Sequence, residues 1–330
     1  ATYHTGSWHS TWAPTGRLGP TLLSCASATS CVAISRATDV AATVYDGTGW
    51  SGVTWADRTH GALDHVSCAS ASFCVAGNDS GTISRFDGTD WQPAGYLTDL
   101  GSLADLSCAS GTFCVAVGSG NAAVFDGTSW TTSSIDPNSP MLSAVSCSSA
   151  HFCRAVDRNG NSMTFDGSNW STPIAYGAQF VDISCPADGY CVAVSPSGYR
   201  EMLFNGNSIG YDNNYSAASP QRVSCATTSY CLISAYLRNS DQYGAATWAG
   251  GPRTDIPANA NESLYALSCP AADRCLGLSP SGAIGYDGLG WTAPVAGIEG
   301  AVQDQADLSC PSSAFCMAVL GSSTATTITG

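Results

Sequence analysis

Residues 105–130 read DLSCASGTFCVAVGSGNAAVFDGTSW, and this pattern recurs along the chain. An apolar residue and a Ser precede a Cys, and a second Cys follows after five small or polar residues. A short apolar stretch, a Gly-rich turn and another apolar stretch ending in an aromatic residue come next. The unit closes with Asp-Gly-x-x-Trp, here Asp126 to Trp130. Apolar runs separated by Gly, Asp and Ser turns predict four short β-strands joined by three turns.

The first Cys of each unit lies at position 25, 68, 108, 147, 185, 225, 269 or 310, a step of about 41 residues. Eight such units account for nearly all of the 330 residues. A four-stranded unit of about 40 residues has the size of a propeller blade, whereas helical repeats would need apolar residues three and four apart. We therefore predict an all-β, eight-bladed β-propeller with almost no helix, in which residues 1–330 form a single domain.

The two ends of the sequence indicate how the last blade is completed. Residues 1–8 align with the end of a unit, so that Trp8 matches Trp50, and the last unit lacks this end after Cys316. We expect the N-terminal strand to complete the last blade. This would close the ring and leave no free sheet edge.

All 16 Cys residues fall into C-x5-C pairs, a spacing unlike the C-x2-C and C-x4-C pairs of zinc sites, and no His recurs at a fixed position beside them. We predict a disulfide across the first turn of every blade, each worth about 2 kcal/mol from loop closure. The predicted pairs are Cys25–Cys31, Cys68–Cys74, Cys108–Cys114, Cys147–Cys153, Cys185–Cys191, Cys225–Cys231, Cys269–Cys275 and Cys310–Cys316.

Eight disulfides indicate an oxidising compartment. The chain begins Ala-Thr-Tyr, without a Met or a signal sequence, so we expect an extracellular protein whose signal peptide has been removed. The net charge of −14 argues against nucleic acid as a partner, because phosphate binding needs cations. The sequence has no run of 18 apolar residues, which argues against membrane insertion.

The repeated Ser-Cys-x5-Cys and Asp-Gly-x-x-Trp motifs resemble those of a group of secreted bacterial repeat propellers, and the resemblance covers the whole chain. The Asp-Gly-x-x-Trp turn is also similar to the Asp-box turns of sialidases, although it is one residue shorter. That box is structural, so the likeness implies no catalysis. The near-identical blades with one Trp each resemble propeller lectins, which implies carbohydrate binding.

Catalytic motifs are scarce. A glycosidase needs two carboxylates at a set separation, and the chain has only three Glu residues. A sialidase-like site could be assembled from Tyr199, Arg200, Glu201, Arg222 and Arg253, but we interpret these as solvated loop residues of units five and six. Asp157 to Asn161 faintly resembles a calcium loop but is too short and lacks the closing Glu. We therefore expect no enzyme activity, no cofactor and no metal.

Two features are candidates for ligand binding. One is the Trp that ends each Asp-Gly-x-x-Trp motif, which could bind sugar rings or could pack between blades. The other is a pair of irregular segments, residues 205–215 in unit five and 236–243 in unit six, whose Tyr, Asn and Asp content suits a polar contact surface. The candidate residues are Trp50, Trp91, Trp130, Trp170, Trp291, Tyr211, Tyr215, Arg238 and Tyr243.

These residues lead to three hypotheses about the function, of which the first two are the main ones. The first is a lectin-like module that binds carbohydrate or a cell-surface glycan. The alternative is a protein-interaction subunit of a secreted or cell-surface assembly, because propellers are broad platforms. A glycosidase or sialidase-like hydrolase is the third.

Overall fold

A computed structural model of the protein describes residues 7–12, 19, 21–36, 40–57, 61–139, 141–196, 200–205, 208–211, 218–237, 242–248, 254–257, 264–279, 281–292, 306–320 and 324–329. These residues form eight antiparallel sheets, one for each repeat of the sequence. The only helical turn in them is the short 3-10 segment Thr98–Leu100. The prediction of an all-β chain with repeated four-stranded sheets is confirmed, although the described residues of the seventh repeat form a sheet of three strands.

The strands of the first four repeats are numbered in chain order after the N-terminal strand. They are β1 (Ser7–Trp12), β2 (Leu22–Ser27), β3 (Ser30–Ile34), β4 (Val40–Tyr45), β5 (Thr54–Asp57), β6 (His65–Ser70), β7 (Phe73–Gly77), β8 (Thr82–Phe86), β9 (Trp91–Tyr96), β10 (Asp105–Ser110), β11 (Phe113–Val117), β12 (Asn121–Phe125), β13 (Trp130–Ser134), β14 (Leu142–Ser149), β15 (Phe152–Asp157), β16 (Asn161–Phe165) and β17 (Ile174–Ala175).

The remaining repeats continue the series. Their strands are β18 (Asp182–Ala187), β19 (Tyr190–Ser195), β20 (Arg200–Asn205), β21 (Ser208–Tyr211), β22 (Ala218–Thr227), β23 (Tyr230–Leu237), β24 (Gln242–Trp248), β25 (Thr254–Pro257), β26 (Ala266–Ala271), β27 (Arg274–Ser279), β28 (Gly282–Tyr286), β29 (Asp307–Ser312), β30 (Phe315–Val319) and β31 (Thr324–Thr329).

Within a repeat, consecutive strands are hydrogen-bonded neighbours, as in the order β10-β11-β12-β13. The eighth sheet has the order β1-β31-β30-β29, so the N-terminal strand completes the sheet of the last repeat. Trp8 lies opposite Ile328, which lies opposite Cys316. The same register sets Trp50 opposite Tyr45 and Tyr45 opposite Cys31, as the sequence alignment predicts.

The eight Cys pairs that the spacing predicts are all bonded. Each disulfide joins the first strand of a repeat to the second across their turn. In the third repeat, for example, Cys108 lies directly opposite Cys114 in the β10–β11 register. The bond therefore fixes the register of this hairpin.

The chain divides into two compact units. One contains Ala1–Asn78, Thr82–Gly95 and Ala258–Gly330, and the other contains Asp79–Gly81 and Tyr96–Pro257. In both units the second strand of a repeat is buried along its length, as in β3 and β11. Side chains alternate between the two sheet faces, so such a strand contributes to the apolar layer on each side. In β15, Cys153 and Ala155 pack against the third repeat, whereas Phe152 and Val156 pack against the fifth.

The Ser of the Ser-Cys motif links successive first strands. In the second unit, the Ser146 hydroxyl accepts a hydrogen bond from the backbone N–H of Cys185, one repeat later, at 3.0 Å. Equivalent bonds join Cys68 to Ser24, Cys147 to Ser107, Cys225 to Ser184, Cys310 to Ser268 and Cys25 to Ser309. The last of these joins the first repeat to the eighth. The recurrence of Ser before Cys thus has a structural cause that acts between repeats.

Candidate functional site

The repeated Trp packs against the aromatic residue that ends the third strand. The ring centroids lie 5.3–5.7 Å apart in the pairs Tyr45–Trp50, Phe86–Trp91, Phe125–Trp130, Phe165–Trp170 and Tyr286–Trp291. Trp91 and Trp291 are buried, whereas Trp50, Trp130 and Trp170 are half-buried. All five have a packing role, and three of them keep part of the indole at the surface.

The Asp of each Asp-Gly-x-x-Trp motif caps its own turn. One carboxylate oxygen of Asp126 accepts hydrogen bonds from the Thr128 hydroxyl at 2.6 Å, the Thr128 N–H at 2.8 Å and the Ser129 N–H at 2.9 Å. The bond from the Thr128 hydroxyl is the main cause that lowers the pKa of Asp126 to about 2, and Thr48 does the same for Asp46. These exposed carboxylates remain ionised in ordinary buffers and serve the turn.

The sheets thus have two different ends. We call "turn end" the end with the C-x5-C turn and the Asp-Gly turn. The two turns touch there, and a Cβ on Gly127 would lie 3.1 Å from the Thr112 side chain. We call "connection end" the opposite end, where the second strand turns into the third and the fourth strand leaves for the next repeat.

Backbone contacts hold the connection end of the second unit. The carbonyl oxygens of Gly81, Gly120 and Gly160, which lie in the turns before the third strands, accept N–H bonds from Leu97, Ile135 and Tyr176 in the connections. At Gly120 the approach is so close that an added Cβ would lie against the Asp136 carbonyl oxygen and 2.9 Å from that of Ser139. This part of the backbone has no space for a side chain.

A buried polar network supports the same end. Asp136 and Asp157 are almost fully buried, and the side-chain amide of Asn161 donates to both, at 2.8 and 3.0 Å. The Asn161 N–H also donates to Asp157 at 2.6 Å. The Asp157–Asn161 segment is thus a hydrogen-bonded turn, and the described residues contain no group of three or more His, Cys, Asp or Glu side chains that could hold a metal ion.

Three large apolar side chains are exposed at the connection end of the second unit. Tyr96 ends β9 and is 52% exposed, Met141 precedes β14 and is 36% exposed, and Ile174 begins β17 and is 52% exposed. Residues next to Tyr96 contact the third repeat, because Ser119 N–H donates to the carbonyl oxygen of Leu100. These side chains are therefore carried by backbone that is held in place.

Two half-buried Asp residues also lie at this end, at the start of first strands. The two oxygens of Asp105 accept the N–H of Leu106 and, from the next repeat, the N–H of Val145, both at 2.8 Å. Burial outweighs these two bonds and raises the pKa of Asp105 to about 7. Burial likewise raises the pKa of Asp182, and the nearby Arg222 opposes the change.

The sequence candidates outside the Trp series lie at or near the limits of the described residues. Tyr211 ends β21 and Tyr243 lies in β24, but their side chains are outside the description, and Tyr215 and Arg238 lie wholly outside it. Of the residues considered for a hydrolase, Arg222 is exposed, Arg200 and Glu201 lie in β20 without a described side chain, and Tyr199 and Arg253 are outside the described residues. No helix in the described residues is long and apolar enough to cross a bilayer.

The solved structures that the chain resembles are β-propellers. The computationally designed Ika8 protein matches with a TM-score of 0.75 at 11% identity, over 97% of this chain and 99% of that one. YCF48 bound to D1 peptide matches with a TM-score of 0.59 at 12% identity, over 85% and 94%. The WD40 β-propeller domain of Doa1 matches with a TM-score of 0.58 at 11% identity, over 97% of both chains.

At such identities these likenesses show the fold alone. No protein-family model matches the chain, and no curated protein matches it in sequence. The chain therefore has a propeller-like fold of disulfide-bonded repeats.

Proposed function

We propose that this protein is a protein-binding module without catalytic chemistry of its own, and that the partner docks on the connection end of the second unit. The observation that carries the proposal is the exposure of Tyr96, Met141 and Ile174 on backbone that is fixed by hydrogen bonds. Exposed apolar side chains on a rigid base lose little entropy on binding. Tyr211, at the end of β21, and Tyr243, near the start of β24, lie at the same end by topology.

The comparisons support this hypothesis over the lectin hypothesis. YCF48, with a similar fold, is described with a bound peptide, and two of the similar structures are WD40 domains. Interfaces use Tyr and Met more often than the rest of a protein surface does.

We also propose that the eight repeats form one closed, eight-bladed ring. The pairing of β1 with β31 supports closure, as do the bonds from Leu23 N–H to Asp307 and from Cys25 N–H to Ser309. A compact chain of this length has a radius of gyration of about 20 Å. Small-angle scattering should give this value, and a clearly larger radius would contradict the closed ring.

The eight disulfides support a place outside the cytoplasm, because such bonds persist in oxidising compartments. We therefore propose a secreted or cell-surface protein. Thiol titration of the denatured, unreduced protein from its native source should find no free thiol, and stoichiometric thiols would contradict this location.

The docking surface can be tested with matched variants. Crosslinking and mass spectrometry on the secreted and cell-surface proteins of the source organism would identify the partner and its contact residues. With purified partner, the double variant Tyr96→Ser/Ile174→Ser should raise Kd about tenfold or more, since central aromatic and apolar anchors carry most interface energy. Leu289→Ser is the control, because Leu289 is 93% exposed but lies in the Asp-Gly turn at the turn end.

The control should leave Kd unchanged. Crosslinks at the turn end, or equal weakening by Leu289→Ser, would contradict the proposed docking surface.

Carbohydrate binding is the second candidate function, and the partial exposure of Trp50, Trp130 and Trp170 favours it. A glycan array with the oxidised protein tests it directly. Binding that is lost in Trp130→Ala and Trp170→Ala would establish it, provided that both variants retain the Tm of the native protein within a few degrees. A blank array would reject it for common sugars.

A further inference from the structure

One repeat carries a cation where the others carry an apolar core residue. The position directly after the second Cys is occupied by Arg154 in the fourth repeat, and this side chain is only 8% exposed. In the other repeats the position holds an aliphatic residue or Met, namely Val32, Val75, Val115, Val192, Leu232, Leu276 and Met317. The substitution therefore places a guanidinium inside the apolar layer between the fourth and fifth repeats.

The neighbours of Arg154 have changed with it. Its guanidinium carbon lies 4.1 Å from the centre of the Phe204 ring, and one terminal nitrogen donates to the Ser162 hydroxyl at 3.2 Å. Tyr176 also hydrogen-bonds to the guanidinium and touches Phe204 edge-on, with 5.4 Å between the ring centres.

The layer between the third and fourth repeats shows the unmodified form. The corresponding residues there are Val115, Ala122, Ile135 and Phe165, all within one apolar cluster. Valine is thus replaced by arginine, alanine by serine and isoleucine by tyrosine, while the phenylalanine is kept. Three polar groups appear together around one aromatic ring, which indicates a built site rather than a single chance substitution.

The site has more donors than acceptors. The Nε atom of Arg154 is buried without a hydrogen-bond partner, and no carboxylate among the described residues forms an ion pair with this side chain. Burial lowers the pKa of Arg154, because it penalises the charged guanidinium. Only Tyr176 acts in the opposite direction. A buried cation without a counter-ion is costly, and apolar residues of similar volume often give a more stable protein.

We propose that Arg154, Tyr176 and Ser162 form a binding site for a single carboxylate, held between the fourth and fifth repeats against Phe204. A planar carboxylate matches the fork of N–H donors of a guanidinium, and a tyrosine hydroxyl can donate a further bond. The ligand supplies the missing negative charge. This site does not depend on the docking surface proposed above.

Tyr176 is the half-buried member of the site, whereas Arg154, Ser162 and Phe204 are buried. The strand before it, β17, has only two residues, whereas the fourth strand of the third repeat has five. The outer edge of the fourth sheet is therefore shorter beside the site, and we expect the ligand to enter past the Tyr176 side chain.

The test measures the Tm of the full, oxidised chain with sodium acetate or with acetamide, each at about 200 mM and at equal ionic strength. A ligand that binds only the folded state stabilises it, and acetamide is a neutral analogue of the same shape. We expect acetate to raise the Tm by about 2 °C or more relative to acetamide. Arg154→Met should remove this difference, and Arg158→Met, which removes an exposed charge from the same repeat, should retain it.

Arg154→Met introduces the residue that Met317 supplies in the eighth repeat, so we expect it to fold and to have an equal or higher Tm without acetate. A third arm with N-acetylglycine distinguishes the source of the carboxylate. A larger shift than with acetate indicates a peptide C-terminus, and an equal shift indicates an isolated carboxylate. The proposal is overturned if acetate and acetamide give the same Tm, or if the difference persists in Arg154→Met.

Discussion

The two ends of the sheets are held by different means. At the turn end, each repeat is closed by its own disulfide, and five of the repeats also have their own Asp cap, as Cys108–Cys114 and Asp126 show in the third repeat. At the connection end, the contacts are made by backbone atoms and by a network that joins one repeat to the next, as Gly120 and Asn161 show. The first end is uniform in sequence and the second is variable.

This difference separates stability from recognition. At the turn end the contacts are made by side chains. A change of residue there would lose a contact, so the same sequence motif recurs. Where the backbone makes the contacts, the side chains are free to vary without loss of the fold, as Tyr96 and Ile174 illustrate. A variable surface on a fixed backbone is the arrangement by which loops on rigid scaffolds carry binding functions.

The largest expected effect comes from crowding the backbone contact at the connection end. Gly120 has a φ of +70°, and its Cβ would meet the carbonyl oxygens of Asp136 and Ser139. Gly120→Ala should destabilise the second unit by about 3 kcal/mol, from left-handed strain together with overpacking. Thermal unfolding followed by circular dichroism measures the loss.

Gly49→Ala is the control, because Gly49 has no atom within 4 Å of the added Cβ and no positive φ. Equal stability of the two variants would show that the connection end is not held by its backbone.

Removal of one disulfide is the corresponding change at the turn end. Cys108→Ala with Cys114→Ala should lower the free energy of unfolding by about 2 kcal/mol, because the short loop is no longer closed in the unfolded chain. Denaturant titration of the oxidised protein measures this. The partner's Kd should stay the same, and a weakened complex would show that the two ends do not have separate roles.

The uniform end is the part that sequence reasoning predicts well. Cysteine spacing alone predicts all eight disulfides, and the Asp-Gly-x-x-Trp motif predicts the turn and the nearby aromatic pair. These features form within one repeat, over a few residues, and their chemistry is specific. The pairing of the N-terminal strand with the last sheet is also predictable, because Trp8 aligns with the Trp that ends a repeat.

The connection end is harder to predict, because its contacts join residues of different repeats. The hydrogen bond between Asp136 and Asn161 joins residues 25 positions apart, and no local sequence motif predicts it. The Ser before each Cys is visible in every repeat, but its hydrogen bond goes to the next repeat. Arg154 could have been found by aligning the repeats, as the one charged residue after the second Cys. The predicted ligand role of the Trp series stays a prediction.

A smaller loss is expected from the bonds between first strands. Ser146→Ala removes the acceptor for the Cys185 N–H and should destabilise the second unit by about 1 kcal/mol. Ser133, which is exposed on β13, supplies the control substitution Ser133→Ala. Hydrogen exchange should be faster at the Cys185 amide in Ser146→Ala alone. Unchanged protection would mean that this bond does not hold the two repeats together.

The two ends should also differ in their pH dependence. The pKa of Asp105 is about 7 in the folded protein and about 4 in an unfolded chain, so the folded state retains a proton between these values. The stabilisation is fully present below about pH 4 and is lost as pH rises through 7. Asp182 acts in the same direction. The Tm should therefore fall as pH rises from 5 to 8.

Asp105→Ala, which copies Ala144 at the same position of the next repeat, should reduce this slope. Asp126→Ala at the turn end should leave the slope unchanged while lowering the Tm at every pH, because a group with a pKa of about 2 stays ionised throughout this range. If Asp105→Ala keeps the full slope, its carboxylate is ionised in the folded protein, and the two backbone N–H bonds outweigh burial. The slope would then come from another carboxylate at this end, such as Asp182, whose pKa burial also raises.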